Sequence, residues 1–412
     1  MRTRFPLHQL ALATLTLAAA GAAHATNGYF PHGFGLKAKG MGGASVAMSH
    51  DAFAGVNNPA ASAFAGNRWE VGGEIFMPDR SSSIEGFGGE VKSGREAFLI
   101  PEFGYNVKLS EKLGVGLTVY GNGGMNTSYA PFPDSSNLLG GSGKLGVDLM
   151  QLIVAPTLAY KVAPGHSFGV SPLLVVQRFE AYGLQLFRTM SSSPDKVTNN
   201  GKDTSTGLGV RLGYMGQLND VLTVGVSYSP KINMSKFDDY AGLFAGGGDF
   251  DIPENYAVGV AWQVSPKVQV ALDYQTINYS KVPSIGNSSL SNLMNGLGTP
   301  NGAGFGWQDI NVLKLGVQWQ MNSQWTLRAG YNSGDNPIAS ADAMFNILAP
   351  GVVEKHITLG ATYMPNPKEE WSFAYWHAKD NSVTGPTIFP GSPEATIRMK
   401  QNGLGVQYSR KF

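Results

Sequence analysis

Few side chains in this sequence are grouped for chemistry. The histidines after residue 25, His32, His50, His166, His356 and His377, are scattered, without the short spacings that hold a metal. Gly140 to Gly146 reads GGSGKLG, close to a phosphate-binding loop. Such a loop needs glycine at 138 and serine or threonine after the lysine, but Leu138 and Leu145 stand there. His-Glu-x-x-His is absent. No enzyme, metal or cofactor is expected. What remains is binding chemistry. Arg211, Lys314 and Arg328 interrupt apolar alternation and could each meet a ligand carboxylate, an arginine best of all. Asp148 and Asp273 share their parity, so mutual salt bridging is the competing expectation.

These cations need a scaffold, and composition narrows it. The 412 residues carry a formal net charge of +1, with only 14% charged residues against about 25% in ordinary soluble proteins. No basic stripe suggests nucleic acid. Cysteine is absent, which suits a chain crossing an oxidising compartment without disulfides. Residues 1–25 read as an export leader: Arg2 and Arg4, an apolar run from Leu10 to Ala20, and Ala23-His24-Ala25 as cleavage site. The mature chain is expected to begin at Thr26. Beyond it, no apolar run approaches the roughly 18 residues of a membrane helix.

From Trp69 the apolar period is two. Leu208, Val210, Leu212 and Tyr214 alternate with small or polar residues, as do Tyr256 to Val264, Val268 to Tyr274 and Leu313 to Trp319. Fourteen such segments are expected: 68–77, 97–109, 113–120, 145–162, 166–180, 206–218, 221–229, 254–264, 267–280, 311–321, 325–332, 354–364, 371–378 and 397–412. Six short connections alternate with seven long ones of about 18 to 30 residues. Tight turns on one side and large loops on the other mark a transmembrane β-barrel, and an even strand number puts both barrel ends on the periplasmic side. Closure follows from lipid, where an open edge would leave backbone groups unpaired at several kcal/mol each. Trp69, Trp262, Trp319, Trp325, Trp371 and Trp376 lie on these strands, several near the ends where aromatic girdles form. The fold class is thus all-β, a 14-stranded antiparallel barrel over residues 68–412.

Residues 26–67 do not alternate. Ser45 to Met48 suggests a helical turn, and Asp51 a cap for a second one. Asn58 before Pro59 places a capping side chain ahead of the favoured first helical position. This insert is too small to bury a core of its own. A fourteen-strand barrel is wide enough to leave a hole that it can fill.

The stretch GMGGASVAMSHDAFAGVNNPAASAF, followed by a first strand ending GEIFMPDR, resembles the long-chain fatty acid and aromatic hydrocarbon transporters of outer membranes (FadL/TodX type). The resemblance implies an N-terminal hatch inside the barrel, carrying an Asn-Pro-Ala motif matched here by Asn58, Pro59 and Ala60. It implies a kinked third strand that opens a lateral gap beside that motif. In this chain Gly121, Gly123 and Gly124 follow the third strand, where glycine marks a bulge or bend, or simply the strand's end. It implies passive transport of hydrophobic compounds, by loop capture, lumenal binding and exit through the wall into outer-membrane lipid. A surface adhesin or receptor barrel and a hydrophilic porin are the alternatives.

The loops fit greasy capture. Phe237, Tyr240, Leu243 and Phe244 fall at helical spacing, as do Leu290, Leu293, Met294 and Leu297, and Ile338, Ala341, Phe345 and Leu348. Such stripes either bind ligand or pack as a lid. Lys37 and Lys39 are further candidate ligand partners. The expected location is the outer membrane of a Gram-negative bacterium, as a monomer. Fatty acid and aromatic hydrocarbon are left open by the residues.

Overall fold

The computed structural model describes residues Asn27–Phe412. The leader and its cleavage site lie outside them.

Half-apolar alternation forces each strand to show one face to lipid, and a ring is the arrangement in which every strand finds two neighbours. Fourteen long antiparallel strands form it: β1 (Arg68–Ile84), β2 (Phe98–Lys108), β3 (Leu113–Asn126), β4 (Gly146–Ala163), β5 (His166–Tyr182), β6 (Asp203–Asn219), β7 (Leu222–Ser229), β8 (Asn255–Ser265), β9 (Val268–Ile277), β10 (Ile310–Gln320), β11 (Trp325–Gly334), β12 (Lys355–Asn366), β13 (Glu369–Pro386) and β14 (Glu394–Lys411). Each pairs with its sequence neighbours, and β14 closes on β1 from Arg68↔Lys411 to Ile84↔Ala395. A two-residue strip, Val91–Lys92, adds to the outer end of β1.

Leu208, Leu212, Val258, Trp262, Leu315 and Trp319 face outward and are exposed, while Asp273, Arg211, Lys314 and Arg328 on the opposite parity are buried inside. Trp371 also faces out, but Trp376 turns inward and is buried. It sits one residue off the outward parity, against Phe76 and His32.

Several strands outrun the expected spans, β1, β3 and β13 most of all. The outer ends of β1 and β13 carry serine, threonine or asparagine on both faces, and that of β14 turns Glu394, Thr396, Arg398 and Lys400 outward. Above the hydrocarbon nothing enforces alternation, so the pattern fades while the ladder continues. In consequence two outer connections, 85–97 and 387–393, are far shorter than the expected range. β3 also continues, through Gly121, Gly123 and Gly124 to Asn126, with both faces buried from Val119 onward.

Inside the ring lie residues 27–67. Leu36–Lys39 and Ala54–Asn57 each form one helical turn, and Pro59–Ala63 a 3-10 turn. The Asn58 side chain caps the last by accepting from Ala60 N at 3.1 Å. Asp51 does not act as the expected cap; only its backbone carbonyl accepts, from Ala54 N. The loop stripes do not build helices either. They break into single turns, and in the second stripe Gly296, at positive φ, ends the turn before Leu297.

Candidate functional site

The site is built where the inner segment meets the wall. Asn58 is fully buried. Its Nδ2 donates to Val46 O and to Tyr214 O of β6, both at 2.8 Å, so one amide ties two parts of the insert to the barrel. The wall makes room with glycine. A Cβ at Gly213 would stand 2.1 Å from Asn58 Oδ1, and one at Gly169 of β5 would stand 2.3 Å from Ala60 N. Ser167 Oγ donates to Ala60 O at 2.9 Å. A Gly-x-Ser-x-Gly spacing occurs here, Gly165 to Gly169. Its serine lies within a strand and is spent on this docking bond, so it is no nucleophile elbow.

Charge fixes the other end of the insert. Lys37 and Arg68 both bind the Glu370 carboxylate, Lys411 joins it at 2.5 Å, and Lys39 pairs with Glu74 at 2.7 Å. Lys37 and Lys39 are therefore anchors rather than free ligand partners. Asp273 Oδ2 accepts from Ser45 N and Val46 N, at 2.6 and 2.9 Å. Glu74 and Glu370 escaped the sequence reading, although inward parity on β1 and β13 was a usable signal.

Asp273, so engaged, is not an ion-pair partner of Lys314 within 4 Å, although the two are paired in register. Asp148 pairs with Arg95 instead, at 3.5 Å. Among the described residues no ion pair joins Arg211, Lys314 or Arg328 to a carboxylate, so the expected mutual salt bridging does not form. Arg211 donates to Val56 O at 2.5 Å and lies over the Phe34 ring. Arg328 donates to Gln318 Oε1 and Thr362 Oγ1, away from the other two. Arg211 and Lys314 meet at one small cavity of about 30 Å³, lined also by Phe30, Phe34, Val46 and Val56. That volume holds about one water molecule. The lumen is thus filled at this level, which a hydrophilic porin's would not be.

The wall itself is interrupted between β2 and β3, which Phe34 links to this cavity by packing on Tyr120. β2 and β3 pair from Lys108↔Gly114 only as far as Phe103↔Val119. Above that, Asn122 is an extra residue between Gly121↔Leu152 and Gly123↔Gln151, a bulge that bends β3 inward. Residues Tyr120–Asn126 stay paired with β4 alone. The bridge Ser93↔Tyr129 closes the opening from above. The result is a framed window in the wall. The Asn-Pro-Ala turn does not lie beside it, contrary to expectation. Tyr29 and Phe34 do: a Cβ at Gly123 would touch Tyr29 O at 2.5 Å, and Phe34 packs on Tyr120 at 4.8 Å. Neither aromatic was singled out in the sequence, because an isolated ring in an irregular segment has no periodicity to betray it.

Over the outer end, Phe237, Tyr240 and Phe244 are buried. They cluster on Phe179 of β5 at 5.6, 4.8 and 4.6 Å. Tyr240 donates to Gly201 O and accepts from Ala181 N. These rings form a packed lid. Met294, in contrast, is almost wholly exposed.

The model of one family, described as outer membrane protein transport protein (OMPP1/FadL/TodX), matches residues 10–412. No curated protein matches the chain. Among solved structures, the chain is similar to the toluene transporter TodX of Pseudomonas putida, with a TM-score of 0.69 at 19% identity, covering 92% of this chain and 99% of that one. A FadL homologue of Pseudomonas aeruginosa gives 0.73 at 16%, covering 93% and 100%. The toluene transporter TbuX of Ralstonia pickettii gives 0.66 at 18%, covering 92% and 99%.

Proposed function

Because the chain belongs to the OMPP1/FadL/TodX family of outer-membrane transport proteins, we propose that it carries amphiphilic hydrophobic molecules through the window between β2 and β3 into the bilayer. A hydrocarbon chain of about fifteen methylenes would lose on the order of 12 kcal/mol in water, at about 0.8 kcal/mol for each CH₂. It therefore needs a greasy path rather than a pore. The observation that carries the reading is the window itself, with Tyr29, Phe34 and Tyr120 behind it and Leu99 of β2 exposed outside.

Capture begins at the outer loops, whose aromatic lid must part. The ligand then enters the space now occupied by Phe30, Phe34 and Val56, which requires the hatch to shift. Arg211 and Lys314, free of carboxylate partners, favour an anionic head group, so a long-chain fatty acid fits better than a neutral aromatic hydrocarbon. Exit follows past Tyr120.

The test is deletion of Asn122. Without the extra residue β3 can straighten and pair with Phe98–Glu102, which shuts the window. Oleate uptake into cells lacking their own transporter is expected to fall to background, with the barrel still folded by its heat-modifiable mobility. Undiminished uptake by that variant would reject exit through this wall.

A further inference from the structure

One arc of the outer wall carries charges that transport does not use. On β12, β13 and β14 the lipid-facing rows run through Ile357, His377 and Asn402, which pair in register across the three strands. The Tyr375 hydroxyl reaches up to Asn402 Oδ1 at 2.9 Å, as girdle tyrosines do at an interface. Two residues further out, on the same face, the row becomes Lys355, Lys379 and Lys400, all exposed. A bulge contributes to this: Lys379 and Asp380 together oppose Lys400, between Ala378↔Gln401 and Asn381↔Met399. Arg398 stands one pleat higher, clasped to Asp380.

Acid does not balance this row. Lys400 meets Asp79 at 3.2 Å, and Lys92 reaches the same carboxylate only at 4.0 Å. Among the described residues, Lys355 and Lys379 form no ion pair within 4 Å. Like charges on adjacent strands repel, so an anion placed between them is stabilising. On the two strands next along the ring the same level is not basic: Lys355 pairs in register with Ser333, and Ser333 with Leu313. Tyr228 and Tyr274 reach Glu254 and Asn311 there. Directly below the lysines lies a bare apolar face of Ile357, Leu359, Phe373 and Leu404.

We propose that Lys355, Lys379 and Lys400 dock the phosphorylated head group of an outer-leaflet glycolipid, whose acyl chains lie on that apolar face. Charge complementarity names the occupant. The row sits at the boundary of the hydrocarbon, where lysines meet anionic head groups and lysine acts as a point charge for phosphate. A free anion would gain nothing from the greasy surface beneath.

Native mass spectrometry of the detergent-solubilised protein tests this with three probes: bis-phosphorylated lipid A, dephosphorylated lipid A and inorganic phosphate. The wild type should retain the bis-phosphorylated lipid at least about tenfold better than the dephosphorylated one, and inorganic phosphate should not displace it. A K355Q/K379Q/K400Q variant should lose that preference, while K231Q/K236Q in the outer loops should keep it. The single variant K379Q, which breaks no hydrogen bond or ion pair among the described residues, should show a partial loss in a fully folded barrel. Equal retention of both lipids by the wild type, an unchanged preference in the triple variant, or displacement by phosphate would overturn the assignment.

Discussion

Gly213 of β6 lies so close beneath Asn58 that any side chain there would occupy the place of the Asn58 carbonyl oxygen, 2.1 Å from a Cβ. Here the wall leaves the hatch no room for one more methyl group. Gly213→Ala should therefore lift the Asn-Pro-Ala turn off β6 and break the bonds to Val46 O and Tyr214 O. Leaving such buried groups unpaired costs about 1–3 kcal/mol each. Hydrogen exchange should show faster exchange in residues 45–64 and unchanged protection in β9 and β10. Exchange like the wild type's would mean that the contact is not holding the hatch.

Glu370 is the hub of the ionic anchor, bound by Lys37, Arg68 and Lys411. Glu370→Gln strips the buried cations of their partner, and breaking a buried pair in this way costs about 3–5 kcal/mol. We expect a hatch that is loose at its Leu36–Lys39 end and a lower melting temperature in detergent. Single-channel recording in planar bilayers should also show openings that the wild type lacks. A quiet, equally stable variant would assign the anchor elsewhere.

Arg211 and Lys314 separate the two substrate classes. Removing both as Arg211→Ala/Lys314→Ala should reduce oleate uptake by about tenfold or more, the loss expected for a charge-assisted pairing. Toluene uptake should change little, since no charge needs a partner. Equal loss of both would make the cations structural.

The outer loops carry a pH dependence. Glu254 is held down to about 2 by hydrogen bonds from Lys281, Tyr228 and Asn278. A carboxyl lowered in the folded state stabilises it above the ordinary value, near 4.5, and that contribution fades as pH falls towards 2. Glu254 is close to solvent, so the effect is modest. Exchange of residues 278–282 should rise through that window in the wild type and be flat, at the raised level, in Glu254→Gln. A parallel rise in the variant would exclude Glu254 as its source.

Strand number, parity and closure were legible in the sequence because lipid imposes a strict rule on residues such as Leu208, Trp262 and Leu315. The Asn58 cap was legible because its chemistry is local. The window was only half legible. Glycines at 121, 123 and 124 marked the place, but the loss of pairing with β2 depends on Asn122 as an extra residue, which shifts the register. The lid was one of the two expectations for Phe237 to Phe244, but its turns were not legible, because apolar spacing reports burial without specifying the turn that achieves it. The anchors of Lys37 and Lys39 lie more than three hundred and about thirty-five residues away, at Glu370 and Glu74, beyond any local pattern.

The hatch joins the wall at Arg68, the first residue of the seam between β1 and β14, and the chain's last strand completes it. With those two strands paired, residues 27–67 lie inside a closed ring, joined to it without a linker at Arg68. Closing the cylinder and enclosing its contents therefore meet at one place, where Arg68 faces Lys411.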